Sequence, residues 1–291
     1  MARAPRNLEI EVAPEADRLD GFPHPRMAAE VFGHRAAETT LARAARAGRL
    51  HHGWLVTGPA GIGKATLAYR FAKFLLTPPA ERGNDDDAPF AVDPTSRAAR
   101  QVVSLSHPGL LVIRRPYEFK DKRFKASITI DEVRRLRDFL GHTAGDQAWR
   151  VVIVDAVDEL NMNAANALLK SLEEPPVRCV FLLISSEPGR LLPTIRSRCR
   201  QLALAPLGEH DIARAARQAF AASEAPKPPS DDELTRLAGL AGGSVRRLLM
   251  LASSDGGMLA ARIDRLLDSL GSNLDWVEAH GLADELAPAA A

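Results

Sequence analysis

The sequence has little cysteine, little net charge and no long hydrophobic run, and each absence excludes a class of protein. Its two cysteines, Cys179 and Cys199, cannot build a disulfide framework, and residues 1–26 lack the apolar core of a signal peptide. The longest apolar runs, such as 179–184, are far too short to span a bilayer. A net charge of +1 argues against a protein that holds nucleic acid by overall electrostatic attraction. We therefore expect a cytoplasmic protein with reduced thiols.

The length and the pattern of the sequence predict more than one domain. With 291 residues, the chain is too long for one compact core. We expect a flexible leader over residues 1–26 and an α/β domain over 27–205, which contains a loop insertion at 78–106. A small helical domain then follows at 206–255, and residues 256–291 are expected to begin a further helical region.

The α/β domain is predicted from short apolar runs that alternate with helical patterns. Runs at 54–57, 110–113, 150–155 and 180–184 have the length and composition of buried strands. Strands that alternate with helices form a parallel sheet with helices on both faces. The predicted fold class is therefore α/β.

The turn after the first predicted strand has the composition of a phosphate-binding loop. Residues 58–65 are Gly-Pro-Ala-Gly-Ile-Gly-Lys-Ala, and a helical pattern follows them. Gly58, Gly61 and Gly63 let backbone N–H groups surround phosphate oxygens at a helix N-terminus, and Lys64 can reach the β- and γ-phosphates. A glycine turn that binds nothing is the alternative interpretation.

The same loop lacks the hydroxyl that would hold Mg²⁺. Ala65 stands where the motif requires Ser or Thr, and a methyl group cannot ligate a hard cation. Thr66 is the nearest hydroxyl, but it lies roughly 100° further round the helix. Asp155 ends a predicted strand and is the candidate metal acid, or else a turn residue. Ala156 follows it, where many such ATPases have a water-activating glutamate. We therefore predict a site that does not hydrolyse ATP.

Several further segments resemble the clamp-loader branch of the AAA+ superfamily. The longest are NALLKSLEEPP at 166–176, SSEP at 185–188 and IRSRC at 195–199. Within this branch the chain is most similar to the bacterial delta-prime subunits of DNA polymerase III, whose own nucleotide site is typically degenerate. The resemblance covers residues 31–249. It implies an AAA+ P-loop domain, a helical lid domain at 206–255 and the start of a helical collar domain.

The resemblance also implies roles for individual residues. Lys64 matches the phosphate-loop lysine and Asp155 the acid of the metal strand. The sensor-1 position falls on Ser185 or Ser186, and Arg246 in the segment Gly-Ser-Val-Arg matches the sensor-2 arginine. Together with the loop glycines and Thr66, these residues make up the predicted degenerate nucleotide site.

The most important implied role belongs to Arg198. In this family the arginine of the Ser-Arg-Cys element projects into the ATP site of the neighbouring subunit as an arginine finger. A guanidinium there neutralises charge that develops on the transferred phosphoryl group. The alternative is an exposed arginine that only holds local structure.

The resemblance implies partners but no required cofactor. The partners would be tau/gamma-type motor subunits and delta-type subunits in a hetero-oligomeric ring, the sliding clamp and, indirectly, primed DNA. ATP or ADP bound without hydrolysis stays open. Many relatives carry a four-cysteine zinc module, but residues 81–106 contain no cysteine, so we expect neither zinc nor any other metal. The chain also ends early within the collar region.

Two other functions stay open at the level of sequence. One is an ATP-hydrolysing clamp-loader motor subunit, against which Ala65 and Ala156 argue. The other is a nucleotide-responsive AAA+ scaffold outside replication.

Overall fold

The computed structural model describes residues 13–83, 88–141, 148–223 and 229–253, together with isolated positions between 262 and 281. Residues 1–12 of the predicted leader and most of the predicted collar region, 256–291, lie outside these ranges. The few described positions of that last region are helical. Within the described residues, none of the helices combines the length and the apolar character that a membrane span requires.

A five-stranded parallel sheet forms the centre of the α/β domain. Its strands are β1 (Gly53–Thr57), β2 (Leu110–Ile113), β5 (Arg150–Asp155), β6 (Cys179–Ser185) and β7 (Arg200–Ala203). They are arranged in the order β2-β5-β6-β1-β7, and every neighbouring pair is parallel. A separate hairpin, β3 (Tyr117–Glu118) and β4 (Arg123–Phe124), follows β2.

Helices cover both faces of this sheet. Helices α1 (Arg35–Arg46), α2 (Lys64–Leu76) and α3 (Arg97–Val103) pack on one face, and α4 (Ile130–Gly141), α5 (Met162–Glu173) and α6 (Pro193–Ser197) pack on the other. Alternate strand residues serve the two cores, so that Trp54 joins the first and Leu55 the second. Because both faces of the sheet are covered, β2 and the inner strands β5, β6 and β1 are largely apolar, whereas the edge strand β7 is mostly exposed. This arrangement confirms the predicted fold class.

The segment 78–106, predicted as a loop insertion, contains regular structure and a buried anchor. Ser96 Oγ caps α3 by accepting a hydrogen bond from the Ala99 amide at 3.2 Å. Phe90 is fully buried against Phe71 and Phe74, with ring centroids 5.3 and 5.7 Å away. The described part of the segment, which excludes residues 84–87, therefore contains a short helix and a buried anchor as well as loop backbone. A two-turn helix is too short to show a clear apolar period.

Three helices follow the sheet and form a core of their own. They are α7 (Glu209–Ala221), α8 (Asp231–Leu240) and α9 (Val245–Ser253), and they are called the helical domain below. Their core contains apolar residues from all three helices and one residue from the other end of the chain, Phe22. An isolated three-helix unit of this size buries little surface, so this additional aromatic side chain contributes substantially to its core.

The N-terminal residues are not a free leader from residue 13 onward. Phe22 and His24 are almost completely buried, and Arg26 Nε donates a hydrogen bond to the Val103 carbonyl at 2.7 Å. A short 3₁₀ turn, Pro25–Met27, leads from this segment toward α1. The prediction of a flexible leader over 1–26 is thus wrong for its described part. The segment has no helical or strand period, because its order comes from contacts with distant residues.

Candidate functional site

The glycine-rich loop joins the end of β1 to the start of α2, as the motif requires. Gly58, Gly61 and Gly63 all have positive φ, of 144°, 79° and 99°. A side chain on Gly58 would also meet the Leu204 carbonyl, and one on Gly61 would meet Ser244 of the helical domain. All three glycines therefore satisfy the backbone shape of the loop, and Gly58 and Gly61 also allow its close packing.

Lys64 lies over this loop and is hydrogen-bonded to it. Its side chain is buried, and Nζ donates to the carbonyls of Gly58 at 2.7 Å and Pro59 at 2.6 Å, and to Ser186 Oγ at 2.9 Å. Burial lowers the pKa of Lys64 to about 8, although the charges of Asp155 and Asp158 oppose this shift. All three donors of the ammonium group are thus engaged by the chain itself.

Ser186, rather than Ser185, is the serine that reaches the loop. Ser185 is the last residue of β6, and its fully buried Oγ has no hydrogen-bond partner among the described residues. Ser186 is exposed and contacts Lys64. Successive strand side chains point to opposite sides, so only one of two adjacent serines can face the loop. The assignment of Ser185 to the nucleotide site is therefore corrected to Ser186.

Asp155 ends β5 beside Lys64, where the motif expects the metal acid, but a second carboxyl group adjoins it. Burial, together with the charge and hydrogen bond of Asp17, raises the pKa of Asp155 to about 8, while the charge of Lys64 opposes the shift. Burial also opposes ionisation of Asp17, yet a hydrogen bond from His24 and the charges of His24 and Arg114 hold its pKa well below the ordinary value. Asp17 is therefore ionised and Asp155 carries the proton.

Both oxygens of Asp17 have partners. Oδ1 accepts from Arg114 Nη1 at 2.9 Å, and Oδ2 lies 2.8 Å from His24 Nε2 and 3.4 Å from the Tyr69 hydroxyl. Asp155 Oδ2, in contrast, is buried and has no partner among the described residues. Sequence reasoning missed Asp17, His24, Tyr69 and Arg114, since no motif or spacing distinguishes them from ordinary polar residues.

These residues fit a phosphate-binding loop but do not fit a magnesium ion. Ala65 offers no hydroxyl, Asp155 is protonated and paired with Asp17, and Ala156 offers no carboxylate. Thr66 lines the pocket further round α2. No group of three or more His, Cys, Asp or Glu side chains in the described ranges could hold a metal ion. The arrangement can accept an anion at the loop, but it contains neither the metal hydroxyl nor the water-activating carboxylate of the motif.

A cavity of about 530 Å³ adjoins the loop and is enclosed from three sides. The loop and α2 form one wall, the segment 16–32 forms the second, and α7 with the start of α9 forms the third. Arg246 lines it, and its backbone N–H is 3.4 Å from the Gly61 carbonyl, while Ser244 Oγ donates to the Ala60 carbonyl at 2.9 Å. The predicted sensor-2 segment therefore contacts the phosphate loop directly.

Arg198 lies at the amino ends of the strands, whereas Lys64 lies at their carboxyl ends. It follows α6 and stands next to the start of β1, whereas the phosphate loop follows the end of that strand. Its side chain is 36% exposed, with Nη2 2.8 Å from Glu173 Oε1 and Nη1 donating to the Thr194 carbonyl at 3.0 Å. The structure thus brings Lys64, Thr66, Asp155 and Arg246 to one pocket and leaves Arg198 outside it.

Comparisons with known proteins agree on one family. A family model described as DNA polymerase III, delta subunit, matches residues 33–208. The DNA polymerase III subunit delta' of Pseudomonas aeruginosa is 38% identical over 194 residues, which are 66% of this chain and 53% of that protein. The subunit tau/gamma of Haemophilus influenzae is 31% identical over 242 residues, 78% of this chain and 30% of that protein. The chain therefore spans about half the length of the first relative and less of the second.

Likeness to solved structures is weaker. The RuvB Holliday junction branch migration motor of Thermotoga maritima matches with a TM-score of 0.47 and 16% identity, over 88% of this chain and 70% of that one. The fold assignment rests instead on the strand order and the loop described above. Since the family model covers more than half of the chain, and a delta' subunit is 38% identical over 66% of it, the chain belongs to the DNA polymerase III delta-prime family of AAA+ clamp-loader proteins.

Proposed function

We propose that the chain acts as a delta-prime-type subunit of a DNA polymerase III clamp loader, without hydrolysing ATP in its own site. In this role it lends Arg198 to the ATP site of a neighbouring motor subunit. The partners are tau/gamma-type and delta-type subunits in a ring, and the task is to place a sliding clamp on primed DNA in the cytoplasm. The similarity to delta' and tau/gamma subunits supports this assignment.

One observation carries the proposal that the subunit is catalytically silent. The acid that the motif expects at the metal side of the loop, Asp155, is protonated and lies beside Asp17, in a site with an alanine in place of the metal hydroxyl. Mg²⁺ placement and water activation each contribute several kcal/mol to phosphoryl transfer. A site that lacks both leaves the energy of loading to the neighbouring subunits. This arrangement also argues against an ATP-hydrolysing motor subunit.

The position of Arg198 supports its use by another subunit. The guanidinium is a surface group whose side-chain partner, Glu173, is itself exposed. Exposed ion pairs are weak, so a phosphoryl group presented by a neighbour can displace Glu173 at little cost. A partly buried arginine with two carboxylate partners, such as Arg114, could not be released in this way.

The test is ATP turnover by a reconstituted complex of this chain with motor and delta subunits, on clamp and primed DNA. Arg198→Ala should leave assembly intact and slow the ATP site that it serves, whereas the matched variant of exposed Arg196, Arg196→Ala, should behave like the parent. Equal turnover with Arg198→Ala would remove the finger assignment and favour a scaffold role. Steady, magnesium-dependent phosphate release by the isolated chain would instead identify a motor subunit.

A further inference from the structure

We propose that residues 15–26, called the N-terminal strap, replace a bound nucleotide as the element that holds the two domains together. The strap fixes the helical domain on the α/β domain across the pocket, and it also closes the metal side of that pocket. A ligand bound between two domains holds them together through its contacts to both. Here one continuous segment of the chain makes contacts of both kinds, and it does so next to the phosphate loop.

The strap is fastened to the α/β domain by a compact network of charges. Glu15 accepts from Arg26 Nη1 at 2.7 Å and from Arg114 Nη2 at 2.5 Å, and Asp17 pairs with Arg114 and His24 at 2.9 and 2.8 Å. The side chains of Asp17 and His24 are 5% and 1% exposed. Arg114 directly follows β2, so the network attaches the strap to the carboxyl ends of the strands, where Asp155 ends β5.

The same segment is fastened to the helical domain by apolar packing. Phe22 is 3% exposed and meets the Phe220 ring edge to face, with 5.1 Å between centroids. Leu19 packs against the same core. The chain just beyond the strap continues this contact, since Gln218 Oε1 accepts from the Ala29 amide at 3.0 Å. The helical domain is therefore held to the α/β domain by part of the N-terminal chain as well as by its direct contacts with the phosphate loop.

The strap also closes the metal side of the pocket. Asp17 lies beside Asp155 in the lining of the pocket, and its own two oxygens are already used by Arg114, His24 and Tyr69. A metal that sought Asp155 would have to displace Asp17, and with it the charge network that holds the strap. Position 65 lacks the hydroxyl and position 156 lacks the carboxylate of the motif. The strap adds a physical block that a single substitution at Ala65 or Ala156 would not remove.

The experiment measures the distance between the two domains in the full chain by pulsed electron resonance. Spin labels are placed at Lys170→Cys in α5 and Arg236→Cys in α8, both exposed positions, in a Cys199→Ser background that leaves only the buried Cys179. Phe22→Ala and Asp17→Asn test the two ends of the strap. Asp20→Asn, which changes an exposed acid of the same segment, is the matched control.

The parent chain and Asp20→Asn should give one narrow distance peak that Mg²⁺ and ATP leave unchanged. Phe22→Ala and Asp17→Asn should each lose that narrow peak, with circular dichroism confirming that the helices persist. A narrow peak in both variants, or a parent peak that forms only when Mg²⁺ and ATP are added, would overturn the proposal. If Phe22→Ala does not fold, the nearly isosteric Asp17→Asn variant decides. The proposal rests on the metal-free site proposed above, but the distance reports on the strap and complex turnover reports on Arg198, so either can fail alone.

Discussion

The two ends of the parallel sheet differ in how their charged side chains are held. At the carboxyl ends of the strands, the side chains of Lys64 and Asp17 are buried and that of Arg114 is partly buried, and groups of the same chain pair all three. At the amino end, Arg198 is held by one exposed glutamate and one carbonyl. Charge that is buried and satisfied stabilises a structure, whereas charge on a weak surface partner is available to a second molecule. The comparison therefore separates charges that hold the structure together from a charge that a second molecule can reach.

The largest expected effect is on ATP turnover, and it follows from substitution of Arg198. Arg198→Lys keeps the positive charge but loses the planar fork of donors, so turnover at the served ATP site should fall by about 10³-fold, nearly as far as with Arg198→Ala. The measurement is single-turnover ATP hydrolysis by the reconstituted complex. Full activity of Arg198→Lys would mean that a point charge suffices and would weaken the finger assignment.

The next effect is on stability at the buried end. Arg114→Ala leaves the carboxylates of Glu15 and Asp17 without their shared cation, and breaking such a pair should lower the free energy of unfolding by about 3 kcal/mol. Denaturant titration measures this loss. The control is Arg134→Ala, which removes an exposed pair with Asp131 and should cost less than about 0.5 kcal/mol. Equal losses for the two variants would show that the buried network has no special weight.

A pH experiment distinguishes the two carboxyl groups of the buried end. The pKa of Asp155 is raised from 3.8 to about 8, so the folded chain binds a proton that the unfolded chain releases, and this contribution to stability is lost as pH rises from 4 to 8. Asp155→Asn cannot lose a proton, while Asp17 and Lys64 still face the position. Between pH 5 and pH 8, the free energy of unfolding of the variant should therefore rise relative to that of the parent by at least about 1 kcal/mol. Parallel stability profiles would contradict the protonated state of Asp155.

The smallest effect is expected at the partner of Arg198. Glu173→Gln removes an exposed ion pair, so stability should change by less than about 0.5 kcal/mol. Because the guanidinium no longer has to leave a carboxylate, complex turnover should rise, by less than about fivefold. Glu174→Gln, at the next exposed position, is the control. A marked fall in turnover would show that Glu173 positions the arginine instead of competing for it.

Much of the fold was predictable because it depends on local pattern. The buried strands are continuous apolar runs, the loop has its glycines and lysine in fixed order, and Asp155 directly ends a strand. Helix α3 was missed because two turns give too few residues for a period. Choosing between Ser185 and Ser186 required the orientation of each side chain at the end of β6, which a sequence motif does not specify.

The strap could not be predicted for a different reason. Asp17, His24 and Phe22 owe their places to Arg114, Tyr69 and Phe220, which lie between 45 and 198 positions away along the chain. A segment with prolines and charges but no periodicity has the composition of a disordered leader. Its order comes from tertiary contacts alone, so only the folded structure shows that the nucleotide pocket has an additional wall.

Gly61 belongs to the phosphate loop, but it also lies in the contact between the two domains. An added Cβ there would come within 2.2 Å of Ser244 Oγ and 2.6 Å of Arg246 Cβ, at the seam between the loop and α9. Even a methyl group would clash with the helical domain and push the two domains apart, whether or not the loop binds phosphate. The close contact between the two domains is then enough to require a glycine at this position, so a glycine-rich loop can reflect domain docking as well as nucleotide binding.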